Sequence, residues 1–591
     1  MDWSVLHQKL ASLFQTETCL EITNGIWETD RWNSRDKNEQ TARYCGEVLR
    51  SAGLSQVELL PLKTDGKTRY FDKVNSQSWD ISEGTLHYAD GELITDYQDL
   101  PCCVASYCPP TPPEGVEAEV VIPVENDPDP EKYKGKVLLV REPANQWTAF
   151  AVKTGAVGIL SDFMVLYPGI RETREVMKDE VMWMGGPSNY ASNVFCFHLT
   201  PRQGDKMREK LQKGSVRVRA KVTSRIYDGL VYTVSAALEG TEPELPEVLL
   251  YGHLYEPGAN DNAAGAAAVL HLAQVFANAV ETGLLSRPRR TIRFAVGYEY
   301  GGSIGYVASH FDRPLLCGMI TDMIGTETGD NATMILRYDP VSNWSYADGA
   351  LFALHRIAHQ YYGHSNPVIH GAFAMDTDNI LADPSLHCPT VAMCAAPALS
   401  YHTSMDRPDR IEPETLKRNA VMAGTYVWGF AQADSADCPF LADAIREQGE
   451  RMIAEADHPR KKRMLQDAIG FALHSLNRIA GQVAYPKVEF DTDPAPDYAK
   501  DGEKRIPERL VPGMLTFHGT DIGARMAGRW NGNPQLPVFW IDGKRNLWQI
   551  AYLSAVEKGF CTDEQLRQEY ECLCDYFDAL AEYNYIRWIA Q

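Results

Sequence analysis

The sequence predicts an α/β protein: a mixed, mostly parallel sheet flanked by helices, an inserted β-rich α+β domain, and a helical C-terminal region. Three observations carry this. From Glu247 to about Ala431 short apolar runs alternate with helical patterns, as in a sheet covered by helices on both faces. Between about Leu100 and Leu238 the texture changes to short strands around one helix, and beyond Ala431 long helical segments take over. At 591 residues the chain is too long for one ordinary core. The expected divisions are residues 1–99, 100–240 (the insertion), 241–435 (the main domain, to which 1–99 also contributes) and 436–591.

Taken in order, Leu6 to Leu54 carry helical patterning that stops at Arg50-Ser-Ala-Gly53, and short strand-like runs pass through Leu60, Tyr70 and Trp79. In the insertion, Gly135 to Arg141 and Gly155 to Leu160 read as strands and Trp147 to Lys153 as a helix. The main domain offers strands at Glu247 to Tyr251, Thr291 to Val296, Leu316 to Ile320 and Pro389 to Cys394, with a helix from Ala266 to Phe276. Helical segments from Phe440 to Ile479 then lead through the connector Asp491 to Asp497 into the last part of the chain. Ile541 to Ile550, helices around Ala555 and from Leu566 to Leu580, and Asn584 to Trp588 have a winged-helix-like cadence.

Composition excludes several function classes. The formal net charge is −22, from 57 Lys and Arg against 79 Asp and Glu, which opposes nucleic-acid binding. Asp563, Glu564, Glu569, Glu571, Asp575 and Asp578 oppose it for the winged-helix-like unit as well. Packing on the main domain, a homo-oligomer interface, or a cover over the pocket are the roles left open for that unit. The basic run Arg460-Lys-Lys-Arg463 reads as a solvated helix face. Met1 to Leu6 show no secretory pattern, no run has membrane-spanning length, and 13 scattered Cys suit a reducing compartment, so the expected location is cytoplasmic, with no membrane partner.

The chemistry gathers at strand ends. Gly252-His253-Leu-Tyr-Glu256-Pro-Gly-Ala-Asn-Asp261-Asn-Ala-Ala-Gly265 sets an imidazole and a carboxylate around one strand-to-helix turn, although Asp261 taken alone reads as a helix N-cap. Glu299, Asp322 and His402 follow the next strands, and ligands in an open parallel sheet collect at those carboxyl ends. Two neutral imidazoles and several carboxylates form a donor set for Zn2+, with a spare Glu as general base. Asp376 and Asp378 read as turn caps that could also supply a carboxylate.

His253, Pro-Gly-Ala-Asn-Asp261-Asn-Ala-Ala-Gly, Glu299 in a Glu-x-x-Gly-x-x-Gly frame, Asp322-Met-Ile-Gly and Tyr-His402-Thr-x-x-Asp406 together resemble the M28 family of zinc metallopeptidases. The resemblance runs from about Leu6 to Ala431 and implies a zinc exopeptidase-like fold. Tyr133-Lys-Gly-Lys-Val-Leu-Leu-Val and Ala151-Val-Lys-Thr-Gly-Ala-Val-Gly resemble a protease-associated domain. By this resemblance His253 and Asp322 would be terminal ligands of one zinc, Asp261 would bridge two metals, His402 would serve the second, and Glu299 would be the base. The family has two consecutive Glu residues where this chain has Glu299-Tyr300, so one zinc site is secure and the second lacks a carboxylate. Sliding the frame by one would instead make Glu299 the ligand and Tyr298 the missing base, with a poorer fit to the glycines. Tyr300, a phenol with an ordinary pKa near 10, would be a poor ligand but could donate to an oxyanion. Tyr255 stands where an Asp usually orients the first histidine, and Glu256 could take that part.

The expected reaction is hydrolysis of a peptide or small amide substrate, by aminopeptidase action. A single-zinc cyclase or deacylase and a non-catalytic peptide-binding protein are the alternatives; a free Glu299 beside the ligands counts against the last.

Overall fold

The computed structural model describes all residues except 125, 126, 128, 184–192, 365, 482–488, 531, 590 and 591. Three helices open the chain, α1 (Trp3–Leu13), α2 (Thr16–Asp30) and α3 (Arg35–Ser51). Strands β1 (Ser55–Thr64), β2 (Arg69–Tyr70), β3 (Lys73–Val74), β4 (Ser78–Tyr88) and β5 (Leu93–Asp96) follow. Then come β6 (Val116–Val121), β7 (Val137–Val140), α4 (Ala144–Thr154), β8 (Gly158–Ser161), β9 (Phe195–His198), α5 (Pro201–Lys213) and β10 (Val216–Tyr227). The main body is built from β11 (Gly229–Leu238), β12 (Glu247–Leu254), α6 (Ala263–Glu281), β13 (Ile292–Tyr298), α7 (Gly301–Ser309) and β14 (Leu315–Asp322). It continues with β15 (Met334–Arg337), α8 (Tyr346–Tyr362), β16 (Val368–Gly371), β17 (Thr390–Ala395) and α9 (Pro413–Gln432).

The main sheet has the order β1-β11-β13-β12-β14-β17-β15-β16. Its centre, β13-β12-β14-β17, is parallel, and antiparallel pairings join β11 to β13 and β17 to β15. The expected mixed α/β architecture is therefore present, with parallel pairing in the middle and again between β15 and β16 at one edge. Those central strands are almost wholly buried, which is why they read as continuous apolar runs rather than alternating ones. Helix α6 is long and apolar enough to cross a membrane by length and composition, but 78% of its most apolar window is packed inside the fold, against β12 and α9. It is a core helix.

The second sheet, β5-β4-β10-β6-β7-β8-β9, differs from the expected 100–240 insertion. It recruits β4 and β5 before residue 100, and β11 returns to the main sheet, so it spans residues 78–227. The texture change misplaces the start because β4 and β10 pair over ten residues while lying far apart in sequence.

Beyond α9 lie α10 (Cys438–Glu455), α11 (Pro459–Ser475), β18 (Ile506–Arg509), α12 (Ile522–Arg525), α13 (Leu536–Phe539), α14 (Leu547–Glu557), α15 (Asp563–Glu582) and β19 (Ile586–Ile589). Asn584 to Trp588 thus enters a strand, paired antiparallel with β18. Trp540, Trp548 and Tyr576 share one continuous apolar core with Leu250 and Phe276, so this region packs onto the main body. The basic run is not a solvated face either. Arg460 pairs with Asp493 and Asp563 at 2.7 Å each, Lys461 Nζ donates to Glu557 O, and Arg463 pairs with Asp493, tying α11 to the connector and to the helices α14 and α15. A second tie reaches the β2–β3 hairpin, where buried Asp72 accepts from Thr516 N–H (2.6 Å), Phe517 N–H (2.9 Å) and the Tyr585 hydroxyl (2.9 Å).

Candidate active site and metal centre

β12 carries buried His253 one residue before its end, and the chain then turns through Tyr255 to Asn262 before α6 begins. Asp406 shapes this turn from across the site: the N–H groups of Asn260 and Asp261 donate to its carboxylate at 2.7 and 3.0 Å. Gly258 is required there because a Cβ would strike that carboxylate. Asn262 Nδ2 donates to Thr321 O at 3.0 Å and Gly325 N–H to Asn260 Oδ1 at 2.8 Å, fastening the turn to the end of β14, where Asp322 lies.

Asn262, not Asp261, occupies the N-cap position of α6. The Asp261 carboxylate is instead shared by two imidazoles: Oδ1 lies 3.3 Å from His253 Nε2, and Oδ2 lies 3.0 Å from His402 Nε2. Ligand atoms of His253, Asp261 and Asp322 all fall within 4.8 Å of one another, and so do those of Glu256, Asp261 and His402. Two donor triads therefore meet at one carboxylate. Asp322 Oδ1 is buried with no hydrogen-bond partner, a costly state for an oxygen unless a cation faces it. Imidazole nitrogens and carboxylate oxygens at this spacing fit zinc.

Electrostatics support the same reading. Burial pushes Asp322 up to about 7 and raises Glu256, which also feels the charge of Asp261. Burial works against the Asp261 carboxylate too, but hydrogen bonds from His253 and His402 outweigh it and hold it well below the usual range. Burial disfavours the His253 cation, yet Asp322, Asp261 and Asp378 lift it well above an ordinary imidazole. A dry chamber crowded with carboxylates is a seat for positive charge.

Glu299 lies on the same chamber just past β13, and burial lifts its carboxyl well above the usual range. Tyr300 is the N-cap of α7; its N–H donates to Asp378 Oδ1 at 2.9 Å and its hydroxyl to Met375 O at 3.4 Å. Burial raises the phenol further, so it stays neutral. Tyr255 turns away, its hydroxyl bonded to Tyr232 O at 2.6 Å. Tyr255, Tyr300, Met323 and His402 all have positive φ, a strained state for side chains of this size that clusters at functional sites.

Three contributions escape the sequence. Glu256 joins Asp261 and His402 and lies 3.8 Å from His253 Nε2, while the orienting position on Nδ1 goes to Asp378, whose Oδ2 lies 3.5 Å from it. Asp378 also caps α7 rather than its own turn. Lys73, on β3, stands in the field of Glu299 and Asp378 while burial lowers its pKa. The segment between β8 and β9 holds the His402 loop: Trp183 N–H donates to His402 O at 3.0 Å, the two rings lie 4.3 Å apart, and Arg171 donates to Tyr401 O at 3.0 Å.

Glu256, Asp261, Glu299, Tyr300, Asp322 and His402 line an inner cavity of 190 Å³. A second cavity of 340 Å³ shares Glu256 and His402 with it. A larger one of 630 Å³, around Glu247, Leu315 and Arg478, lies at the opposite, amino ends of the strands, away from these groups.

No curated protein matches the chain significantly. Among solved structures, a zinc aminopeptidase from Bacillus subtilis aligns at 16% identity and a TM-score of 0.51, over 71% of this chain and 96% of its own. A peptidase M28 precursor from Shewanella amazonensis gives 16%, 0.50, 73% and 98%. A putative peptidase from Clostridium acetobutylicum, at 15% identity and 0.50, aligns over 100% of both chains. At such identities these likenesses establish the fold, and the last extends it to the C-terminal region. The profile of peptidase family M28 matches residues 233–427, the stretch that holds His253, Asp261, Glu299, Asp322 and His402. Residues 233–427 are thus similar to peptidase family M28 over the stretch that carries the site.

Proposed function

We propose that this protein is a zinc-dependent hydrolase of peptide bonds that acts as an aminopeptidase. The observation that carries the reading is the Asp261 carboxylate shared by two triads, with the Glu299 carboxyl on the same small chamber. His253, Asp261 and Asp322 would hold one zinc, and Glu256, Asp261 and His402 a second, so that Glu256 supplies the carboxylate missing at Tyr300. Zinc bound there would lower the pKa of water and polarise the scissile carbonyl. Glu299 takes the water proton on its carboxylate and delivers it to the leaving nitrogen. Tyr300, kept neutral, turns its hydroxyl from Met375 O to the carbonyl oxygen as negative charge develops. Asp378 fixes the ring of His253. The acidic lining attracts a cationic amino terminus, and the 13 free thiols support a reducing, cytoplasmic setting.

The test is a peptide library with free and blocked amino termini, read by mass spectrometry on zinc-supplied protein. Free peptides should shorten one residue at a time while blocked ones persist; equal cleavage of both would refute aminopeptidase action. Elemental analysis should find about two zinc ions per chain, and about one in Glu256→Gln.

A further inference from the structure

The outer cavity differs from the chamber in its chemistry. Its walls include the aromatic rings of Trp79, Tyr107, Trp183 and Tyr298, and beside Glu256 and His402, which it shares with the chamber, its guanidinium is that of Arg35, at the start of α3. Arg35 lies over the Tyr298 ring, 5.1 Å from its centroid, and Nη1 faces the Asn38 carboxamide oxygen at 3.1 Å. Among the described residues no carboxylate lies within ion-pairing distance of it, although most arginines in this acidic protein have found one. An arginine of a half-buried wall held by a ring and a neutral amide keeps its charge-assisted hydrogen bonds for something that enters.

We propose that the outer cavity binds the carboxylate of the substrate through Arg35, so that the preferred substrates are short peptides with a free C-terminal carboxylate. The inference rests on the hydrolase reading above and supplies its substrate class. Glu256 and His402 belong to both cavities, so a substrate whose scissile bond lies at the triads reaches the outer one directly. The guanidinium then meets an end that is anionic only in a short chain; in a long polypeptide it would meet a neutral backbone. The size agrees: the two cavities together fall within the roughly 300–1,000 Å³ of small-molecule sites.

The test compares three substrates on the zinc-supplied, full-length protein: a dipeptide, its C-terminal amide, and an amide with Glu at the second position. The expected result is a kcat/KM for the free acid about tenfold to a hundredfold above the plain amide, mainly through KM, with that ratio falling to about two in Arg35→Gln. A ratio near one in the wild type overturns the proposal. So does a preference that survives in Arg35→Gln. If the Glu-containing amide equals the free acid, Arg35 reads an acidic side chain and the assignment to a C terminus is overturned. Calorimetric titration of the acid and the amide into Glu299→Gln protein separates the two layers. If that protein binds the acid more tightly but the wild type cleaves neither compound, the hydrolase reading fails and the Arg35 site stands. Equal affinities overturn the Arg35 site whatever the catalysis.

Discussion

The inner chamber and the outer cavity meet at Glu256 and His402 but were assembled in opposite ways. The chamber is made by one sheet: His253, Glu299 and Asp322 come from the ends of adjacent strands, fixed within the register of β13-β12-β14. The outer cavity is made by convergence of the start of α3, the second sheet, the Tyr107 and Trp183 segments and the β12 turn. The first concentrates negative charge in a dry space and the second spreads aromatic surface around one cation. Chemistry that needs fixed geometry sits on the rigid sheet, and recognition sits where separate segments meet.

If the chamber does the chemistry, its variants should cost orders of magnitude. Asp261→Ala removes the shared carboxylate, and zinc content should fall toward zero with a loss of about a thousandfold or more in kcat/KM. Retained zinc by elemental analysis would break the comparison outright. Glu299→Gln should keep its zinc and lose roughly a hundredfold to ten-thousandfold in kcat. Asp378→Asn, which loosens His253, should weaken zinc affinity about tenfold to a hundredfold in a chelator competition. In the outer cavity, Trp183→Ala should raise KM only about threefold to tenfold, the scale of one lost ring contact. A larger drop in kcat would mean that Trp183 also positions His402.

One effect shows only on acidification and belongs to the second sheet. Burial pushes His198, on β9 of the second sheet, down to about 4. Unfolded, it takes a proton near 6.5, so its contribution to stability is complete above that pH and is lost as pH falls toward 4. His198→Gln should therefore flatten the decline of the melting temperature between pH 6.5 and 4.5. A parallel decline in both proteins would assign acid sensitivity to other buried imidazoles, such as His7 on α1 and His370 on β16, which burial also lowers to about 4.

The strand ends were legible because ligand chemistry falls where apolar runs stop, and the order of His253, Asp261, Glu299, Asp322 and His402 carried the site. The rest was hidden for physical reasons. Glu256 reads as a neighbour of His253, and it is one, but its grouping with Asp261 and His402 depends on a loop that arrives from much later in the chain. Asp378 lies 125 positions after His253, and no local pattern links a carboxylate in a short helical turn to an imidazole on a strand. The cap motif at Asn260 to Asn262 was visible, but choosing which of the three caps required knowing what Asp261 faced. Arg35 gave no signal, because an arginine opening a helix is ordinary until its walls arrive from elsewhere in the chain.

The clasp at Asp72 reaches further than its position suggests. Tyr585, near the end of the chain, grips the residue next to Lys73, and Lys73 faces Glu299. Clipping the tail after α15 would take the Tyr585 hydroxyl from Asp72 and leave the Thr516 and Phe517 N–H groups holding it. The hairpin that carries Lys73 would then be held by one bond fewer, a loosening beside the chamber made by a residue 513 positions further along the chain.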